Sequence, residues 1–204
     1  MTRHSSAGPV EPSLTEAADS ASAKRSLLKR FRRSQSGATA VEFGFVALPF
    51  FMLIAAIVET AMMLWTSQVL EESVSVTARS LLTGQSRTQY AAATAAANTE
   101  AFRQKVCENA STLVDCTKLT IDVRGYGSFA AARIGTTSPV QSGTLNTTGF
   151  GYNQPGAEQI VVVRAVLEYS LFFTQWSSAL ANIGAGKHAI VASTTFRTEP
   201  FAGT

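Results

Sequence analysis

Histidine is scarce in this chain, cysteine occurs only as one widely spaced pair, and charge is almost missing from one long stretch. His4 lies in a polar N-terminal region and His188 stands alone before an alternating segment, so the sequence offers no histidine cluster for a metal and no histidine-based nucleophile system. Cys107 and Cys116 lack the CxxC spacing of redox and zinc sites. Gly149-Phe150-Gly151 and Gly184-Ala185-Gly186 do not continue into a GxGxxG fingerprint, and no Walker loop occurs. Asn146-Thr147-Thr148 matches a glycosylation sequon, a pattern too short to be specific. The sequence therefore assigns no catalytic, cofactor-binding or metal-ligating residue, and the expectation is a protein that is not an enzyme and uses no cofactor.

The missing charge is more informative. From Phe43 to Trp65 the only charged residue is Glu59. A window of about 23 residues suffices to cross a hydrocarbon core ~30 Å thick, which predicts a transmembrane helix. The formal charge of +3 is unevenly placed. Residues 1–37 carry seven Lys or Arg against Glu11, Glu16 and Asp19, whereas the remainder carries one acidic group more than its basic ones. A nucleic-acid surface is not indicated. The basic cluster before the apolar run, with Glu71 and Glu72 beyond it, predicts a cytoplasmic N-terminus and an exported remainder by the positive-inside rule. Both cysteines fall in the exported part, where an oxidising compartment allows a Cys107 to Cys116 disulfide; two separate free thiols are the alternative.

Residues 1–23 have almost no large apolar side chains, a composition that predicts a disordered cytoplasmic tail. Lys24 to Arg33 interleaves Leu27, Leu28 and Phe31 with basic groups, which reads as a topology-setting flank or a segment resting on anionic lipid. Beyond Trp65 no Gly or Pro occurs until Gly84, and Val69, Val76 and Leu70, Val74, Leu81 recur at helical spacings. The membrane helix is thus expected to continue outward as an amphipathic helix. A second helix is expected from Thr88 to Ala110, where alanine is abundant. Leu119, Ile121 and Val123 then alternate with polar residues, Ile160 to Tyr169 suits a central strand, and Ala189 to Arg197 supplies a third. Gly135 to Gly156 reads as a long connection or a small hairpin. In Leu171 to Lys187, the helical spacing of Phe172, Trp176, Leu180 and Ile183 suggests core-lining residues, with a partner-facing aromatic patch as the alternative.

The stretch that carries function is Arg32 to Glu59, RRSQSGATAVEFGFVALPFFMLIAAIVE. A basic flank leads to Gly37 and Ala38, and Glu42 with Phe43 follows at the mouth of the apolar run. This resembles a type IV prepilin processing site, in which a membrane aspartyl peptidase cuts after the glycine and leaves a mature chain whose fifth residue is glutamate. More narrowly, Gly37, the AVEF box, the Leu48-Pro49 pair, Glu59 and the Ala78-Arg79 pair resemble the TadE-like family of the tight-adherence pilus system. RTEPF at Arg197 to Phe201 is similar to the ending of that family. A 37-residue leader is long for the class, and Ser5 to Ser22 has no obvious role in processing.

The resemblance implies an α+β pilin-like protein with residues 1–37 as cytoplasmic leader, 38–65 as transmembrane helix and 66–204 as an exported domain. It implies processing at Gly37 and Ala38, assembly through Glu42 and Phe43, and a role as minor pilin or pseudopilin in surface attachment. The implied partners are a prepilin peptidase, other pilin and pseudopilin subunits, the inner-membrane assembly platform and membrane lipid. The physical reading agrees. An ionised Glu42 would cost about 2.5 to 3.5 kcal/mol at mid-membrane and less near the interface, so it calls for a partner or a shallow position. Cutting after Gly37 would create an α-amine at Ala38, one turn away on the same face. Pro49 inside the helix invites a kink that packed neighbours would tolerate. Glu59 is expected near the outer boundary, either reaching toward water or meeting a specific partner. The competing reading is an uncleaved single-pass membrane protein displaying a periplasmic binding domain.

Overall fold

The computed structural model describes residues 35–110, 113–175, 179–184 and 186–201. The expected N-terminal tail, the basic flank and Trp176 lie outside the described residues. The chain divides into two compact units, Met1–Leu53 and Ile54–Thr204.

In the first unit the described residues are the opening of helix α1 (Gln35–Leu82), which contains Pro49. Phe43, Phe45, Val46, Leu48, Phe50, Phe51 and Leu53 are all exposed. An apolar helix with no polar face and no covering layer is what lipid, rather than a water-facing core, requires. The helix from Gly37 to Leu82 is long and apolar enough to cross a membrane.

In the second unit α1 becomes one-sided. Leu70, Val74, Ala78 and Leu81 form its buried stripe, while Glu71, Glu72 and Arg79 face outward. Val76, expected on an apolar face, is exposed; two residues from Val74 is about 200° around a helix of 3.6 residues per turn. Ser73 and Thr77 are buried beside the stripe because each hydroxyl donates to the carbonyl four residues back, at 2.6 and 2.8 Å.

The second helix is split and starts later than its alanine content predicts. A short α2 (Ser86–Gln89) is followed by non-helical residues and then α3 (Ala95–Asn109). Thr94 caps α3 by accepting from Ala97 N at 3.2 Å, and the Asn98 side chain grips both backbone groups of Ala92. These local side-chain bonds hold Ala91 to Ala93 outside the helix against their propensity. The Cys107–Cys116 disulfide joins α3 to a 3₁₀ turn (Cys116–Lys118) leading into the first strand.

The sheet is antiparallel. Its strands are β1 (Leu119–Tyr126), β4 (Ile160–Ser170) and β5 (Lys187–Arg197), with β4 in the middle. Ile121, Val123, Val161, Val163, Ala165, Leu167, Ile190 and Ala192 pack with the α1 stripe and with Phe102 and Val106 of α3. The opposite face is covered by α4 (Phe129–Gly135) and by a hairpin of β2 (Val140–Gln141) and β3 (Thr144–Leu145). Covering on both faces explains the unbroken β-branched run of β4. The hairpin turns at Ser142 and Gly143, both at positive φ, as two-residue turns of the primed class require. Helix α4 has no counterpart in the sequence reading, since seven residues are too few to display a helical period.

Among its described residues the 171–187 segment forms no helix beyond β4. Of the residues expected to line a core, Ile183 packs against Val166 and Ala189, Leu180 is half-buried and Phe172 is exposed, as is Phe173. The buried apolar residue at the start of the segment is Leu171.

Directly opposite each other in the β1–β4 register stand Asp122 and Arg164. Both are buried, with Arg164 Nη2 to Asp122 Oδ2 at 2.5 Å. Arg164 also donates to Thr137 O and lies 4.6 Å above the Phe150 ring, while Asp122 accepts from Gly151 N at 3.4 Å. The pair thereby pins both ends of the hairpin region to the sheet. Removing the carboxylate strands a buried guanidinium, so Asp122→Ala should destabilise the fold by about 3 to 5 kcal/mol. Urea unfolding of the full chain in detergent checks this, and a loss below about 1 kcal/mol would mean that water screens the pair.

Candidate functional site

Two parts of α1 carry the residues with the strongest functional pattern. The first lies at its start. Gly37 and Ala38 lie within the described helix, which runs from Gln35 to Leu82, and a glycine inside a helix costs about 1 kcal/mol relative to alanine. Glu42 and Phe43 follow on the exposed surface. Among the described residues Glu42 forms no ion pair, so its carboxylate faces outward from an apolar helix. The arrangement places one exposed anionic group, Glu42, ahead of a long exposed apolar stretch of helix.

The second part is Glu59. It is only 1% exposed although it sits in the apolar window. Its carboxylate accepts three successive backbone N–H groups from the loop after β4: Phe172 N at 3.0 Å to either oxygen, Phe173 N at 2.5 Å and Thr174 N at 3.2 Å. Three converging amides form an anion-binding nest, and they compensate a buried carboxylate without a basic side chain. Burial, and after it the Glu59 charge, push the nearby Tyr169 phenol up.

A third contact involves the chain's last described residues. Thr198 receives Gln159 N and donates to Gly156 O, at 2.9 and 2.8 Å. Glu199 N donates to Leu82 O, the last residue of α1, at 3.0 Å. Phe201 covers Gly84, whose φ is +77° and whose missing Cβ would lie 2.7 Å from the ring. The RTEPF ending thus serves as the C-terminal cap of α1.

With this geometry in view, the comparison with known families is specific about place. Residues 37–79 match the model of the family described as TadE-like protein. This stretch of α1 is TadE-like. No curated protein and no solved structure matches the chain. The TadE-like stretch contains Gly37, Glu42, Pro49 and Glu59 and ends three residues before α1 does. The sheet lies outside it.

The structure brings Cys107 and Cys116 together, and it separates Glu42 from Glu59 in kind: the first is outward-facing, the second enclosed. Sequence reasoning recognised Glu59 as a departure from the apolar pattern but left its partner open between water and a specific group. Its partners are main-chain amides, which carry no sequence signal. His188 also has a structural place, its Nδ1 donating to Leu180 O at 2.6 Å. Among the described residues no group of three His, Cys, Asp or Glu is placed to hold a metal.

Removing the Glu59 carboxylate leaves three enclosed N–H groups without an acceptor. Glu59→Ala should lower the local opening free energy of the loop by about 3 kcal/mol, or roughly 100-fold faster amide exchange at 172–174. Glu59→Gln, which keeps one acceptor oxygen, should fall between. Hydrogen–deuterium exchange of the full chain in detergent measures both; unchanged rates would mean the amides have other acceptors.

Proposed function

We propose that the chain is a minor pilin or pseudopilin required for assembly of a tight-adherence type IV pilus and for the surface attachment it supports. The observation that carries this reading is the TadE-like match beginning at Gly37, on a helix whose only charged group near the start is an outward-facing Glu42. In this reading the protein sits in the bacterial inner membrane with residues 1–37 cytoplasmic, 38–65 spanning the bilayer and 66–204 periplasmic. A prepilin peptidase removes the leader, and the mature subunit joins other pilins and pseudopilins at the inner-membrane assembly platform, with incorporation into the fibre as a further step.

The chemistry of Glu42 supports this assignment. A carboxylate on an apolar helix is costly in a low-dielectric setting unless an opposite charge meets it. Cleavage after Gly37 supplies one, the α-amine of Ala38. That amine pairs with Glu42 of its own chain or of a neighbouring subunit. The new helix terminus also adds the favourable end of the helix dipole, although that term falls off within the first turn. Phe43 and the exposed phenylalanines after it then provide the apolar surface against which neighbouring subunits pack.

Two outcomes test the reading. The membrane-bound form should begin at Ala38, lighter by about 4 kDa, in proportion to 21.6 kDa over 204 residues. N-terminal sequencing and intact mass measure this; a chain still beginning at Met1 favours an uncleaved single-pass protein displaying a periplasmic binding domain.

Glu42→Ala should insert and be cut normally, because losing a carboxylate only makes the helix more apolar. It should fail to co-isolate with other pilus components, since an unpaired ammonium in a buried interface costs about 3 to 5 kcal/mol. Glu42→Gln keeps the shape and should fail nearly as badly. Co-isolation and fibre counts in a strain lacking the native protein measure both variants, and normal fibres for both would reduce Glu42 to a boundary residue.

A further inference from the structure

The loop that receives Glu59 has a second property. Its two phenylalanines turn outward: Phe172 is 70% exposed and Phe173 57%. Large aromatic side chains side by side on a surface mark a contact with something apolar. Their height along α1 is set by the hydrogen bonds of their own amides to Glu59. At that height the helix surface is itself apolar and open, with Ile57, Val58, Leu64 and Trp65 all exposed. The phenylalanine pair therefore continues the surface of the candidate span rather than that of the water-facing sheet. A shallow cleft between the two is lined by Met62, Thr66, Tyr169 and Phe172 together with the charged side chains of Asp115, Lys118 and Glu168.

We propose that Phe172 and Phe173 form a second membrane contact, a wedge inserted into the outer boundary of the bilayer beside the spanning helix. Trp65, 61% exposed, is the aromatic that marks the headgroup level. Glu59 lies six residues before it, about 9 Å deeper at 1.5 Å per residue. That depth matches the ~5 to 10 Å to which interfacial segments bury their apolar faces. A loop at such a depth must have its backbone donors satisfied within the protein, because no water is there to do it. The Glu59 nest satisfies three of them, so one arrangement explains both an enclosed carboxylate and two exposed phenylalanines.

The occupant is lipid, and the attraction is apolar. The two lysines nearest the loop are already paired, Lys187 with Glu168 at 3.2 Å and Lys118 with Asp115 at 3.6 Å. Little net charge is left for anionic headgroups, so zwitterionic lipid suffices. The wedge holds the membrane-proximal end of the sheet against the bilayer surface. It depends on the spanning reading of α1 but not on processing or fibre assembly.

The two native cysteines are joined to each other, so one added cysteine can carry a nitroxide label on the full chain. Phe172→Cys and Phe173→Cys, each labelled and reconstituted in phosphatidylcholine nanodiscs at one copy per disc, should be more accessible to oxygen than to a water-soluble nickel chelate. Phe129→Cys, on the exposed surface of α4, should show the reverse. Trp65→Cys reports the span independently, so a failed wedge is told apart from a failed span. Greater nickel than oxygen accessibility at both 172 and 173 overturns the proposal. Low accessibility to both reagents there also overturns it, by showing a protein contact instead of lipid. The same oxygen preference in discs with and without anionic lipid is expected; a preference that appears only with anionic lipid overturns the apolar basis.

Discussion

A carboxylate cannot be left alone in an apolar enclosure, and the placement of Glu59 organises much of what surrounds it. Its charge is met by the backbone amides of Phe172, Phe173 and Thr174, in the loop that leaves the central strand. Main-chain donors of this kind exist only if the loop is bent to aim them, so the carboxylate dictates the loop's conformation as much as the loop stabilises the carboxylate. At the other end of the same helix segment, Glu199 N closes the last carbonyl of α1 and Phe201 occupies the space over Gly84. From Ile54 to Leu82 the helix is thus held by a polar clasp at each end and by an apolar stripe between them. The stripe supplies most of the burial. The clasps fix which turn of the helix meets which part of the sheet, because directional hydrogen bonds discriminate positions that apolar contact would tolerate.

The far side of the sheet follows the same logic with a different pair. Asp122 and Arg164 face each other across β1 and β4, and the groups they hold, Thr137 O and Gly151 N, flank the hairpin on either side. A polar connection of this length has too few apolar side chains to settle by burial alone. The ion pair supplies the anchor points, and the Phe150 ring over the guanidinium closes it from above. The Cys107–Cys116 bond performs a comparable task for α3, tying the end of that helix to the turn from which β1 starts.

The TadE-like match and the structure divide the labour of the chain. All of the match lies within α1, including the opening residues that the proposed processing and assembly would use and the Glu59 clasp. Everything that gives the sheet its individual form lies outside it. In the proposed function the helix would meet lipid, a peptidase and other subunits along its length, whereas the sheet packs against its buried stripe on one face.

Much of this was legible in the residues. The long apolar helix follows from a stretch between Phe43 and Trp65 whose one charged residue is Glu59, and the three long strands follow from alternation in β1, continuous β-branching in β4 and the run that became β5. These signals are local, because hydropathy and side-chain period act on neighbouring residues. What escaped was non-local. Asn98 reaching back to Ala92 overrode the propensity of an alanine tract, and the amide of Phe172 is met by a carboxylate 113 residues earlier in the chain. The sequence by itself determined where the chain is apolar, where its backbone can be helical or extended, and which single carboxylates break the pattern. Only the tertiary structure decided that Glu42 faces outward while Glu59 is enclosed, because that distinction depends on backbone amides brought from a distant loop, and an amide is the same in every residue but proline.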